Sequence, residues 1–214
     1  YTYEGSSYGK IVDILLQCKS SNPVIYFDEL DKVSDTPKGE EIIGILTHLT
    51  DTTQNDKYHD KYFSEIDFDL SKCLFIFSYN DESKINPILK DRMYNIETKG
   101  YDMDEKVIIS KNYLIPKLEK ELTMEKDSIV IDNTMLKHLV EKYTQNEKGV
   151  RNLKRCLEVI FSKLNLYTLM KPGTKLFGDK IIDNITYPYQ VTEEIIGEII
   201  KHTTKPGQYL NMYL

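Results

Sequence analysis

The sequence contains little cysteine, no long apolar run and no hydrophobic leader. Its three cysteines, Cys18, Cys73 and Cys156, are widely spaced and give neither a metal-ligand pattern nor a disulfide pattern. No apolar run is long enough to cross a bilayer, and residues 1–5 have neither a basic start nor an apolar core. We therefore expect a protein of the cytoplasm or another reducing intracellular compartment, with no membrane partner.

Basic charge and metal-binding motifs are also scarce. The net charge is −6, and the 16 tyrosines are not interleaved with basic clusters. Nucleic acid is therefore a possible partner that the sequence does not indicate. The four histidines form no H-E-x-x-H motif or other paired metal spacing, so we assign His48, His59 and His138 structural roles.

The hydrophobic pattern divides the 214 residues into an α/β half and a mostly helical half. In the first half we predict helices over 9–19 and 42–49, strands over 24–27, 73–79 and 94–97, a hairpin or irregular strand over 62–70, and a loop over 34–41. In the second half Asp102 and Glu105 form a capping box, Pro116 kinks or ends that helix, and Asp132 caps the next. Helices over 150–164 and 192–200 flank a strand over 185–191. The predicted boundaries are 1–99, 100–202 and a tail over 203–214.

The most informative stretch, residues 22–31, is a mostly apolar segment that leads into two adjacent carboxylates. A near-continuous apolar run is typical of a strand buried on both faces. Asp28 and Glu29 then lie at its carboxyl end, where open α/β sheets bind ligands. This is the layout of a Walker B motif, in which one carboxylate helps to hold Mg²⁺ and the next polarises the attacking water. A surface turn after a core strand is the alternative.

Three further polar residues follow at suggestive positions. Asn80 ends the second buried strand and could hold the attacking water, although a turn residue is the alternative. Arg92 follows a short helix and could reach a neighbouring subunit's nucleotide, with a surface salt bridge, for example to Asp91, as the alternative. Arg151 opens an amphipathic helix and could point toward a phosphate, with simple solvation as the alternative.

The order and spacing of these motifs resemble the ATPase module of the Lon protease family, within the AAA+ ATPases. The resemblance runs from about Tyr1 to about Ile200 and is carried by residues 22–32, 63–71, 88–93, 100–106, 114–117 and 149–153. The fold that it implies is α/β: a partial AAA+ P-loop NTPase parallel-sheet core over 1–99, followed by a mostly helical lid over 100–202.

The resemblance also implies an activity and the residues that perform it. The expected activity is ATP hydrolysis with Mg²⁺ in a homo-hexamer that unfolds and translocates protein substrates. The implied roles are Asp28 as the Mg²⁺ residue, Glu29 as the general base, Asn80 as sensor 1, Arg92 as the arginine finger and Arg151 as sensor 2. Residues 1–10 are similar to the family's first pore loop, with Tyr3 as the aromatic that grips substrate. Glu4 departs from the apolar residue usual there, and an ordinary exposed tyrosine is the alternative for Tyr3.

One motif of nucleotide-binding proteins is missing from these 214 residues. The sequence has no G-x-x-x-x-G-K-[ST], which in the family precedes the pore loop, so we expect this chain alone to be an incomplete, inactive fragment. The tail after Ile200 is too short for a Ser–Lys protease domain. A protease-free Lon-like remodeller of protein complexes or nucleic acid is therefore the alternative function. A degenerate scaffold subunit is a third reading, which the retained site residues argue against.

Overall fold

The computed structural model describes residues 6–33, 35–63, 65–170 and 185–201. The chain divides into two compact units, Tyr1–Ile96 and Glu97–Leu214, each with its own hydrophobic core. The first unit combines helices with a parallel strand pair, and the second is mostly helical. The predicted fold class, a partial α/β core followed by a helical part, is confirmed.

The first unit is built around two neighbouring parallel strands. Its helices are α1 (Lys10–Cys18), α2 (Pro37–Thr50) and α3 (Pro87–Asp91), and its strands are β1 (Val24–Phe27), β2 (Tyr58–His59), β3 (Asp67–Phe68) and β4 (Leu74–Phe77). β1 and β4 pair in parallel, with Phe27 opposite Phe77 at their carboxyl ends. β2 and β3 pair antiparallel, so the hairpin expected over 62–70 forms only in part. Because β1 and β4 are in register, the residues that follow them emerge side by side.

The two faces of the β1–β4 pair differ in burial. One face packs inward, with Ile25 3% exposed and the rings of Phe27 and Phe77 stacked at 5.1 Å. It contacts a core that includes Leu46, Leu49, Leu70 and Leu89. On the other face Val24 and Leu74 are 61% and 57% exposed. The prediction of strands buried on both faces is therefore wrong for the described part of the chain, which supplies a cover for one face only.

Two local predictions in the first unit are also wrong. The loop expected over 34–41 ends earlier, because α2 begins at Pro37. Thr36 caps this helix by accepting a hydrogen bond from the Gly39 N–H at 3.2 Å, and proline suits the first helical position because it needs no N–H partner there. The strand expected over 94–97 does not form. Tyr94 and Ile96 are 91% and 78% exposed, and no strand among the described residues pairs with this segment.

The second unit packs helices around one apolar core. Its helices are α4 (Met103–Ile109), α5 (Ile115–Glu121), α6 (Asn133–Tyr143), α7 (Arg151–Leu169) and α8 (Glu193–Lys201), and its strands are β5 (Ile129–Val130) and β6 (Tyr189–Gln190). The strands pair in parallel, and β6 is shorter than the predicted strand over 185–191. Leu139, Leu153, Leu157 and Leu164 are fully buried where α6 and α7 meet the core.

The helix starts of the second unit follow the sequence signals. Asp102 and Glu105 form the predicted capping box, and Asp132 caps α6 through the Met135 N–H at 2.8 Å. Pro116 does not end its helix. A π-helical turn over Ser110–Leu114 joins α4 to α5, and this wider turn accommodates the proline ring, which an α-helical interior would not.

Candidate active site

The carboxyl ends of β1 and β4 bring Asp28 beside Ser78. The Ser78 hydroxyl donates to Oδ1 of Asp28 at 2.5 Å, and the Tyr26 hydroxyl lies 3.0 Å from the same oxygen. The Tyr26 and Ser78 hydroxyl oxygens are themselves 3.0 Å apart. Two hydroxyl donors therefore orient the carboxylate that the sequence assigned to the metal.

Glu29 has an unusual backbone conformation. Its φ of 56° and ψ of 47° lie in the left-handed region, which costs a non-glycine residue about 1–3 kcal/mol and is frequent at functional sites. The Glu29 N–H donates to Oγ of Ser78 at 3.3 Å, and the Leu30 N–H donates to the Ser78 carbonyl at 2.9 Å. The turn is thus held by Ser78, and the Glu29 side chain stays exposed.

Asn80 is held at the same edge through a buried carboxylate. The Asn80 N–H donates to Oδ1 of Asp31 at 3.3 Å, and the Asp31 side chain is only 1% exposed. Asp31 also pairs with Lys32 at 3.7 Å. Asp28, Glu29 and Asn80 therefore lie together at the carboxyl edge of the parallel pair, as the sequence predicts.

Arg92 ends α3 and contacts the end of α2. Its Nη1 donates to the Thr47 carbonyl at 3.0 Å and lies 2.9 Å from Oδ2 of Asp51. Hydrogen bonds from Thr53 and then from Arg92 lower the pKa of Asp51 from 3.8 to about 2. The salt-bridge partner of Arg92 is therefore Asp51 and not Asp91. Both contacts use Nη1, so they leave the N–H donors of Nε and Nη2 unused.

Arg151 is the first residue of α7 in the second unit. Within the described residues its exposed side chain makes no hydrogen bond or ion pair, but the backbone around it is fixed. The Glu147 carboxylate accepts hydrogen bonds from the Asn152 N–H at 2.8 Å and the Leu153 N–H at 2.9 Å. These bonds satisfy two donors of the first helical turn, and the negative charge interacts favourably with the positive end of the helix dipole. The turn that presents Arg151 is therefore rigid, although its guanidinium is not held.

The same turn is also fixed from the side of α4. The ammonium of Lys106, a residue only 5% exposed, donates to the Glu147 carbonyl at 2.5 Å, and the Tyr101 N–H donates to the Lys148 carbonyl at 2.9 Å. Gly100 lies so close to Lys148 that an added Cβ would be 2.8 Å from the lysine Cβ. A cavity of about 620 Å³ lies beside these residues, within the second unit.

The tyrosine, cysteine and histidines singled out in the sequence lie in elements other than β1 and β4 or outside the described residues. Tyr3 is outside the described residues. Cys156 is half-buried, and burial raises the pKa of its thiol to about 11, so little thiolate forms near neutral pH. His48 and His138 lie in helices, and His59 lies in β2. None of the described helices is long and apolar enough to cross a membrane.

Several residues of the site were missed by sequence reasoning. The supporting residues are Tyr26, Ser78, Asp31, Asp51, Lys106 and Glu147. Only Tyr26 carried a usable signal, because it precedes Asp28 by two residues and so shares its face of the strand. Ser78, Asp31, Asp51 and Lys106 act through contacts between residues distant in sequence, which the local pattern does not encode. Glu147 contacts residues only five and six positions away, but it carries no standard capping-box spacing.

The donor set at the strand edge fits a nucleotide-borne magnesium ion. Among the residues that the structure describes, no group of three or more His, Cys, Asp or Glu side chains could enclose a metal. Mg²⁺ in nucleotide sites is held by one or two carboxylates, water and the substrate phosphates. One oriented carboxylate at Asp28, with Glu29 and Asn80 on the same edge, is consistent with that mode of binding.

Comparison with known proteins identifies two matching families. Residues 1–101 match the ATPase family associated with various cellular activities (AAA), and residues 120–176 match the Lon protease AAA+ ATPase lid domain. Membership of the AAA family implies nucleotide binding with a divalent metal.

Individual relatives extend these matches. The chain is 41% identical to a Lon protease homolog of Acanthamoeba polyphaga mimivirus over 167 residues, 78% of this chain and 16% of that protein. It is 40% identical to the Lon protease of Clostridium acetobutylicum over 164 residues, 76% of this chain and 21% of that protein. It is 34% identical to Lon protease homolog 2, peroxisomal, of Caenorhabditis briggsae over 200 residues, 94% of this chain and 25% of that protein.

The chain thus spans between 16% and 25% of the length of these relatives. The lid match and all three relatives are of the Lon protease family, and the AAA match is of the wider ATPase family. The matched regions include the strand edge with Asp28 and the start of α7 with Arg151. This chain belongs to the Lon protease family of AAA+ ATPases, in the ATPase and lid part of that family.

Proposed function

We propose that this chain is the ATP-hydrolysing motor module of a Lon-like ATP-dependent protease, which unfolds and translocates protein substrates. The observation that carries the proposal is the carboxyl edge of β1 and β4, where two hydroxyls orient Asp28 beside Glu29 and Asn80. The family membership supports it, because the relatives are Lon proteases.

Each residue at this edge has one task in the proposed reaction. Asp28 holds Mg²⁺, directly or through water; when bound, the ion neutralises phosphate charge. Glu29 accepts a proton from the attacking water, and its exposed carboxylate on a fixed turn suits that task. Asn80 orients the same water through its amide.

The two arginines act on the phosphates from other places. We assign Arg151 to the γ-phosphate bound by its own subunit, because its guanidinium has no protein partner among the described residues. We assign Arg92 to the nucleotide of the neighbouring subunit in a hexamer, where its remaining N–H donors stabilise transition-state charge. The contact with Asp51 then aims the guanidinium and does not oppose the role.

The substrate and assembly assignments rest on the family, and the compartment rests on the cysteines. We propose protein substrates, with Tyr3 in a pore loop that grips the polypeptide, and a homo-hexamer as the working form. We also propose a reducing intracellular compartment, since the described cysteines are all free. The names of the relatives include a peroxisomal protein, so they leave the compartment open.

The test is ATP hydrolysis by a protein in which a phosphate-binding segment precedes this chain. We expect Mg²⁺-dependent hydrolysis that a protein substrate accelerates. Asp28→Asn should lower turnover about 100-fold or more, since electrostatic groups of this kind are worth that much. Asp104→Asn is the matched control, because Asp104 is 78% exposed on the second unit. Lack of hydrolysis in the unmodified protein, or full activity in Asp28→Asn, contradicts the proposal.

A further inference from the structure

Tyr26 places a phenol beside the proposed metal carboxylate. Residues two apart on a strand share a face, so Tyr26 and Asp28 point to the same side of β1. The Tyr26 hydroxyl lies 3.0 Å from Oδ1 of Asp28 and 3.0 Å from Oγ of Ser78. Tyr26 is 58% exposed within the described part of the chain, so its hydroxyl is open to solvent and to a ligand on that side.

Two hydroxyl protons are shared among these three oxygen atoms. Ser78 donates its proton to Asp28 at 2.5 Å, a length typical of a hydroxyl bonded to a carboxylate. A tyrosine hydroxyl has one proton, which Tyr26 can donate either to Asp28 or to Ser78. In both arrangements the triangle of contacts restrains rotation of the carboxylate.

The triangle also reaches the turn at Glu29. Oγ of Ser78 accepts from the Glu29 N–H at 3.3 Å, and the Ser78 carbonyl accepts from the Leu30 N–H at 2.9 Å. Ser78 therefore contacts both the Asp28 carboxylate and the left-handed turn that presents Glu29. Tyr26 contacts the carboxylate and Ser78 but not that turn.

We propose that Tyr26 and Ser78 are positioning residues: Tyr26 orients Asp28 for divalent-cation binding, and Ser78 couples that carboxylate to the backbone of Glu29. The inference rests on the proposed function. These roles predict that substitutions at Tyr26 and Ser78 affect hydrolysis differently. Loss of the Tyr26 hydroxyl weakens cation binding, whereas loss of the Ser78 hydroxyl weakens cation binding and also slows the chemical step.

The experiment is a pair of Mg²⁺ titrations on a protein in which a phosphate-binding segment precedes this chain. One follows ATP hydrolysis at saturating ATP, and the other follows Mg²⁺-dependent binding of a non-hydrolysable ATP analogue, which should show the same shift in Mg²⁺ requirement. For Tyr26→Phe we expect the Mg²⁺ concentration at half-maximal rate to rise roughly three- to tenfold, the net effect of one ordinary hydrogen bond. The maximal rate should stay within about twofold, because Glu29 keeps its contacts. Ser78→Ala should raise the Mg²⁺ requirement and lower the maximal rate, and Ser78→Thr should restore both.

Tyr113→Phe is the matched control for Tyr26→Phe, because Tyr113 is 68% exposed and lies in the second unit. An unchanged Mg²⁺ requirement in an active Tyr26→Phe variant overturns the role of Tyr26. A maximal rate in Ser78→Ala equal to that of the unmodified protein overturns the coupling role of Ser78. Lack of hydrolysis by the unmodified protein would instead overturn the proposed function, and this inference with it.

Discussion

The two units hold the charged residues of the proposed site in different ways. In the first unit other side chains contact the charged groups themselves: Tyr26 and Ser78 contact the Asp28 carboxylate at the strand edge, and Asp51 contacts the Arg92 guanidinium at the end of α2. At the start of α7 in the second unit, the contacts end on the backbone around Arg151. Preorganised groups suit a chemical step, and a side chain on a rigid base but without its own partner suits a sensor of ligand.

The largest expected effect comes from replacing Arg92. If Arg92 only stabilises the fold, the comparison between the two units fails for this residue. Arg92→Ala should lower turnover about 1,000-fold in the assembled protein, as removal of an arginine finger does. Mixing Arg92→Ala subunits with Glu29→Gln subunits should partly restore hydrolysis, because the second variant supplies its arginine to the intact base of the first.

The measurement is the ATP hydrolysis rate of the mixture against each variant alone. A mixture no more active than its components would contradict a role across the subunit interface. The control mixture combines Arg92→Ala subunits with subunits that carry both Arg92→Ala and Glu29→Gln, which supply no arginine and should leave the rate unchanged.

The second prediction separates Arg151 from the residues that fix its turn. Arg151→Ala should lower turnover about 10- to 100-fold with little change in the melting temperature, because the exposed side chain makes no hydrogen bond or ion pair among the described residues. Glu147→Ala should lower stability by about 1–2 kcal/mol, the usual effect of losing a helix cap, and should reduce activity as well. Thermal unfolding together with ATP hydrolysis distinguishes the two, and a large stability loss in Arg151→Ala would contradict the comparison.

The third prediction concerns the close approach of Gly100 to Lys148. Gly100→Ala would place a Cβ 2.8 Å from the lysine Cβ and 3.0 Å from its carbonyl oxygen. We expect a loss of about 1–3 kcal/mol in the free energy of unfolding, as overpacking produces. Gly44→Ala is the matched control. Nothing lies within 4 Å of its Cβ position in α2, so we expect a gain of about 0.5–1 kcal/mol. Denaturant unfolding measures the free energy of unfolding of both variants. Equal changes in Gly100→Ala and Gly44→Ala would show that the close approach of Gly100 to Lys148 does not restrict the side chain at position 100.

The smallest effect is the pH dependence of the Asp51–Arg92 contact. The pKa of Asp51 is about 2 in the folded protein, below its ordinary 3.8, so the carboxylate stabilises the fold above about pH 4 and this contribution is lost as the pH falls toward 2. The difference in melting temperature between the unmodified protein and Asp51→Asn should therefore be largest near neutral pH and should shrink below pH 4. Asp91→Asn should show no difference at any pH, and a constant offset for Asp51→Asn would contradict the assignment.

The sequence predicted the features whose signals are local. The Asp102 capping box, the Asp132 cap and the two strands that end at Asp28 and Asn80 all depend on spacing within one segment, and all are present. The start of α2 was placed too late because Ser34–Glu41 is polar, although Thr36 and Pro37 together form a helix start.

What the sequence could not predict arises from contacts between distant residues. The segment over 94–97 alternates apolar and polar residues as a strand does, but a strand also needs a pairing partner, which no local pattern reveals. Likewise, the contact between Tyr26 and Ser78 spans 52 positions, and that between Arg92 and Asp51 depends on how α2 and α3 pack.

The most direct test of the motor assignment is Glu29→Gln in a protein that carries a phosphate-binding segment ahead of this chain. Both ATP affinity, by a nucleotide-binding titration with Mg²⁺, and turnover should be measured. We predict unchanged affinity within about twofold and turnover lowered 100-fold or more, because only the proton acceptor is lost. Normal turnover in Glu29→Gln would contradict the account.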